Sequence, residues 1–448
     1  MANNYAVPQD LWAVSAALNF DQPLDKDDPR YVPTGEARGD FRFAKLYKQL
    51  GVDPHTLQLR QPQQTQYILF CGHVGCGKST ELRQQSAKLH RPEAYCCVFL
   101  DVLVELDPHN LEYSDISVAL AKRLLDQLDE QQVPIDTLFL TPLQDWFTEQ
   151  VEQHQTTHAF ACDIKAGLQG KTGIPFIGGL FTAITAACKT NTLYKKELRR
   201  ALKQSFGQFS QAFNQLVLHA EQQLQQTQQG QKILFVVDGT DRMRQADRQR
   251  LLIDDVYQLQ QLHGCFIYCA PIGLIYQENS INQLFHYVCK LPMIKLADKG
   301  DHQPYQPGHT ALKNMVYRRA APELFDPPEL VDTLIAHSGG HPRDLLRLLN
   351  YAFQAAEGDV FNQAAVDDAI RQLASDYRRL LTTDDYAFLY QIDQAPSDET
   401  NHSDQAQHLL YHLALLEYNG FWWQSHPIIR TLPGYHRAAD EAAADDGT

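Results

Sequence analysis

Residues 67–80 constrain this chain more than any other stretch. An apolar run, Tyr67 to Cys71, leads into Gly72, His73, Val74, Gly75, Cys76, Gly77, Lys78, Ser79 and Thr80. Gly72, Gly77, Lys78 and Ser79 fill every fixed position of the pattern G-x-x-x-x-G-K-[ST]. Glycines let the backbone turn so tightly that successive N–H groups converge on one anion. A helix opening at Lys78 and running on from Thr80 to Leu89 adds the positive end of its dipole. Gly72 and Val74 to Thr80 are therefore expected to cradle the phosphates of a nucleoside triphosphate. Lys78 would reach the β- and γ-phosphates, and the Ser79 hydroxyl would hold Mg²⁺.

Further strands are expected at Ala94–Val102, Lys232–Asp238, Cys265–Ala270 and Tyr287–Leu296. Near-continuous apolar strands that alternate with helices indicate an α/β fold, with a parallel five-stranded core sheet covered on both faces. The 131 positions between Val102 and Ile233 exceed what one crossover needs, so residues 103–231 read as a large helical insertion. Helices are expected there at Ile116–Gln131 and 143–154. Leu198, Leu202, Phe206, Phe209, Phe213, Leu216, Ala220 and Leu224 recur at steps of three and four. They mark an amphipathic helix of roughly seven turns, facing either the core or a partner. Ile174 to Cys188 is apolar but about 15 residues long. That is short of the roughly 20 that span a bilayer. It reads as a buried hairpin or helix, or else as a membrane- or partner-docking element, and no membrane span is expected.

The boundaries that follow are a lead-in at 1–60 with a short helix at Phe41–Leu50, and a core at 61–300. A helical lid at 301–375 begins with a polar linker, Ala297 to Thr310. Within the lid, one helix runs from Pro328 to His337 and another starts at Pro342. Residues 376–437 read as helix (Asp384–Ile392), helix (Gln405–Leu416) and a hairpin around Asn419-Gly420, which together make a winged helix. The acidic tail, 438–448, is expected to be disordered.

The net charge of −15 disfavours non-specific nucleic-acid binding by the surface as a whole. The nine cysteines lack any C-x-x-C pair, and several lie in apolar strands as small hydrophobes. This usage points to a reducing cytoplasm, and the first residues lack the pattern of a signal peptide.

Asp238 ends an apolar strand, where a Mg²⁺ ligand is needed. Gly239 follows it, and the nearest carboxylate is Asp241, which reads as a helix N-cap or as a catalytic group.

The phosphate loop, Asp238-Gly239-Thr240-Asp241, the strand end at Tyr268–Pro271, and Ser338 to Arg343 together resemble STAND-type P-loop ATPases, relatives of the AAA+ and origin-recognition ATPases. The likeness spans about residues 20 to 437. It implies an ATPase in which Lys78, Asp238, Asp241 and Arg343 serve catalysis and Pro342 lies against the nucleotide. Arg343 would sense the γ-phosphate from the lid or make a lid-surface salt bridge. Arg318 and Arg319 would lend a finger to a neighbouring subunit or lie on a solvated face. Two departures, Gly239 and Cys269 where such proteins carry a water-orienting polar side chain, imply slow hydrolysis. Residues 376–437 hold four Lys/Arg against eight Asp/Glu, which speaks against DNA binding. The resemblance instead implies a winged helix packed on the ATPase core to lock the ADP state. It further implies ATP-dependent self-association or a separately encoded effector, in the style of bacterial anti-phage defence. Alternatives are a DNA-associated AAA+ loader or transposition regulator, and a nucleotide-binding scaffold without turnover.

Overall fold

The computed structural model describes residues 5–445 apart from 64, 154–191, 278–280, 300–302, 395–402 and 420–421. The apolar segment 174–188 lies outside the described residues. Among those described, no helix is long and apolar enough to cross a membrane.

Five strands, β1 (Gln66–Gly72), β2 (Tyr95–Asp101), β3 (Lys232–Asp238), β4 (Cys265–Pro271) and β5 (Tyr287–Leu291), form one sheet in the order β2-β3-β4-β1-β5. All its pairings are parallel. The α/β class and the five-stranded parallel sheet are thus as expected. Strand β5 is shorter than expected because Pro292 has no N–H to continue the ladder. The extended chain beyond it is used differently: Met293 N–H donates to Glu417 O (3.1 Å) and Lys295 N–H to Ala37 O (2.9 Å).

The helices follow in chain order. α1 (Leu11–Ala17) and α2 (Phe43–Gln49) belong to the lead-in, and α3 (Lys78–Leu89) follows the phosphate loop. α4 (Tyr113–Glu130), α5 (Thr137–Gln153) and α6 (Thr192–Gln226) belong to the insertion. The stripe on α6 faces the core. Phe209 stacks on Phe213, Phe213 meets Phe235 of β3 at 5.7 Å, and Phe235 stacks on Phe266 of β4 at 4.8 Å. Each buried ring stabilises the docking by about 1.5–3 kcal/mol. α6 kinks at Ser205, whose hydroxyl bonds Ala201 O and accepts from Trp146 Nε1. A side chain drawn into the helix ladder is an ordinary cause of such a kink.

Beyond the sheet come α7 (Gln306–Tyr317), α8 (Leu330–Ser338), α9 (Pro342–Ala355) and α10 (Gln363–Arg378). The linker is shorter than expected, because α7 already starts at Gln306. α8 ends in left-handed Gly339, and Pro342 opens α9. α11 (Thr383–Gln394) and α12 (Asp404–Tyr411) precede an antiparallel pair, β6 (Leu415–Tyr418) and β7 (Trp422–Ser425). Residues 438–445 correct the expectation of disorder, since α13 (Pro433–Asp445) is helical. Its alanines favour a helix, Tyr435 and Ala438 are buried, and the Tyr435 hydroxyl donates to Asp393 Oδ2 at 2.6 Å.

Candidate functional site

The order β3-β4-β1 sets the carboxyl ends of three strands side by side, where open α/β sheets bind ligands. Asp238 ends β3, Cys269 lies near the end of β4, and Gly72 ends β1.

Beyond Gly72 the loop turns through Gly75 (φ +81°) and Gly77 (φ +101°) into α3. Gly75 is constrained twice. Its backbone is left-handed, and a Cβ there would lie 2.7 Å from His341 Nε2 of the lid. Lys78 is buried at the first turn of α3. Its Nζ donates to Gly72 O (3.0 Å) and His73 O (2.8 Å) and pairs with Asp241 Oδ2 (2.8 Å). Burial alone would pull the Lys78 pKa down, but the Asp241 carboxylate holds it above the ordinary value. Burial likewise opposes Asp241, and Lys78 holds that carboxyl below its usual range. Asp241 sits in a short 3₁₀ turn (Thr240–Arg242), and it faces the lysine rather than capping a helix. Its Oδ1 is buried with no hydrogen-bond partner.

Ser79 Oγ donates to Asp238 Oδ1 at 3.0 Å. Burial first, then the nearby Asp241 charge, pushes Asp238 up to about 6. Gly239 is left-handed (φ +84°), and a Cβ on it would meet Leu103 Cγ at 2.9 Å. The backbone and Leu103 together exclude a glutamate there. The Cys269 carbonyl accepts the Thr240 hydroxyl, and burial pushes its thiol well above the ordinary range.

Gly75 to Thr80, Asp241, Pro342 and Arg343 line one cleft, while Gly72, Val74 and Asp238 are not among its lining residues. Arg343 Nε has no hydrogen-bond partner and sits 4.0 Å from Asp21 Oδ1. The lead-in supplies a wall that motif reading missed. Leu24 N–H donates to Thr80 Oγ1 (3.1 Å), and buried Arg38 donates from Nη2 to Cys76 O (2.7 Å) and from Nε to Thr34 Oγ1 (3.0 Å). Thr34 in turn donates to Glu81 Oε1 (2.8 Å). Arg319 also lines the cleft, only 5% exposed, and donates to Met315 O (2.9 Å). Arg318 donates to Pro29 O at 2.8 Å. Arg319 is buried within this chain, which corrects its reading as part of a solvated face, whereas Arg318 is exposed, as that reading expects. A hydrogen-bond pattern between distant segments leaves no local signal in sequence.

The C-terminal half grips the loop at two points. His341 Nε2 is 2.8 Å from Val74 O, and Glu417 N–H of β6 donates to His73 Nε2 (2.8 Å). Tyr418 of the same strand donates to Gly339 O at 2.7 Å.

Burial is the main cause that lowers the His73 pKa, to about 3. Unfolded, it protonates near 6.5. Below that pH the unfolded state binds more protons, so stability falls on acidification. Between pH 7.5 and 6, His73 should cost about 0.8 kcal/mol, offset in part by Asp238, which takes up its proton in the same window. Urea unfolding at the two pH values, compared with His73→Gln, checks this. An equal loss in the variant would rule it out.

No protein-family model and no curated protein matches the chain. Among solved structures it is similar to the RuvB Holliday junction branch migration motor of Thermotoga maritima. The identity is 12% and the TM-score 0.34, over 91% of this chain and 96% of that one. It is also similar to Cdc6p from Pyrobaculum aerophilum, at 11% identity and TM-score 0.37, over 94% and 99%. At TM-scores this low, neither likeness assigns an activity.

Proposed function

We propose that this protein is an ATP-driven switch. The observation that carries the reading is the buried Lys78 bonded to two loop carbonyls, beside Ser79 bonded to Asp238. The loop amides and Lys78 would hold the β- and γ-phosphates. Ser79 and Asp238 fit Mg²⁺, which when bound neutralises charge on the phosphates. Nucleotide binding draws Lys78 from Asp241, and leaves that carboxylate free to orient water. Arg343, whose Nε has no hydrogen-bond partner and only a long ion-pair contact to Asp21, would answer the γ-phosphate from the lid. Hydrolysis would be slow, because Gly239 leaves no base directly after Asp238 and Cys269 offers only a weak thiol donor. The lid and the winged helix that ends in β6 and β7 would read the nucleotide through His341 and Glu417. Their release would expose a surface for self-association or for a separate effector.

The test is the native mass of the purified protein with ATP, with ADP and with neither, beside Lys78→Ala. ATP alone should raise the mass, and the variant should not respond. A mass indifferent to nucleotide removes self-assembly as the output.

A further inference from the structure

The ends of β3 and β4 gather a sulfur and two carboxylates. Cys269 Sγ and one carboxylate oxygen each from Asp238 and Asp241 lie within 4.8 Å of one another, and all three residues are buried. A hard cation has what it needs in Ser79 and Asp238, whereas a thiol is a ligand that borderline and soft cations select. Two further observations point to a ligand in this group. Asp241, with its side chain 5% exposed, leaves Oδ1 without a hydrogen-bond partner. Asp238, 1% exposed, makes no ion pair among the described residues and accepts only from uncharged donors. A buried carboxylate without a cation is costly, which is the position of Asp238, and a divalent cation would relieve it while giving Asp241 Oδ1 a partner.

We propose that Asp238, Asp241 and Cys269 form a binding site for a thiophilic divalent cation of the zinc or cobalt(II) kind. Binding displaces the Cys269 thiol proton, since the thiolate is the ligand. The unpartnered Asp241 oxygen gains a partner, while its other oxygen keeps Lys78. The site shares Asp238 and Asp241 with the nucleotide reading above, and rests on that reading only for its setting.

The experiment titrates metal-free, full-length protein with Co²⁺ alone, with no nucleotide present. Wild type should develop a sulfur-to-cobalt charge-transfer absorption. Cys269→Ser should lose that absorption and bind Co²⁺ at least roughly tenfold more weakly by calorimetry. Cys76→Ser, which removes the phosphate-loop cysteine, should keep the absorption. Circular dichroism checks that the serine variants fold. X-ray absorption on cobalt-loaded wild type counts the sulfur ligands independently of any variant, and one is expected. No absorption in wild type, its survival in Cys269→Ser, or a shell of oxygen and nitrogen alone overturns the proposal. Mg²⁺-ATP binding is measured on the same samples. Its absence beside an intact cobalt signal would overturn the switch reading and leave this one standing.

Discussion

Lys78→Ala is expected to abolish ATP binding and, in the same step, to lower stability by about 3–5 kcal/mol. The two effects share one cause. Lys78 Nζ bonds Gly72 O and His73 O and neutralises Asp241, with both side chains at most 5% exposed. Without the ammonium, phosphates lose their buried cation, and Asp241 and Asp238 face one another uncompensated. A double-mutant comparison separates the parts. Lys78→Ala/Asp241→Asn should recover much of the stability, because the orphaned charge is gone, and recover none of the binding. Thermal unfolding and nucleotide titration read the two quantities. If Lys78→Ala binds Mg²⁺-ATP like wild type, the phosphate-site reading is wrong. If it unfolds like wild type, the ion pair carries no weight in the fold.

The second large effect is expected at Asp344, which is fully buried at the start of α9. Its carboxylate accepts from the Tyr377 hydroxyl (2.6 Å) and from Arg347 Nη1 (3.1 Å). His341 Nδ1 lies 3.1 Å away and His426 Nε2 3.3 Å away. Burial alone would raise the Asp344 pKa, yet His341 and His426 hold it well below the carboxylate range. Asp344→Ala removes one partner from several buried polar groups at once, which costs about 3–5 kcal/mol. It also frees the ring of His341, which bonds Val74 O in the phosphate loop. Nucleotide affinity should therefore change along with stability. Asp344→Asn keeps the shape and should lose less of both. Denaturant unfolding of the two variants beside ATP titration decides it. An alanine variant as stable as wild type would show that the network is incidental.

The sheet was legible because its strands are short apolar runs between turn signals, and each run found its place. Strand β5 was overread for a physical reason. Met293 and Ile294 are as apolar as a strand interior, but Pro292 ends the ladder and hands them to the lid and hairpin. The acidity of residues 438–445 points to disorder, whereas the helix preference of their alanines prevails in α13. In the site, the loop and Asp238 carry local patterns, and the sheet order brings their side chains together. Asp241 was visible as a carboxylate near a strand end, but its partner depends on β3 lying one strand away from β1. Arg38 and Arg319 were invisible as cleft residues. A buried arginine that bonds a carbonyl many residues away differs in no local way from one in solvent.

The Lys78–Asp241 pair also acts as a filter. The carboxylate is an anion tethered beside the loop, permanently at high local concentration. Any ligand must outbid it for the lysine before it can settle. On the proposed reading a lone orthophosphate or sulfate would bring too few contacts to do so, whereas a triphosphate chain would reach the loop amides, the lysine and the lid together. The pair would then guard the site against the small anions that far outnumber such a ligand.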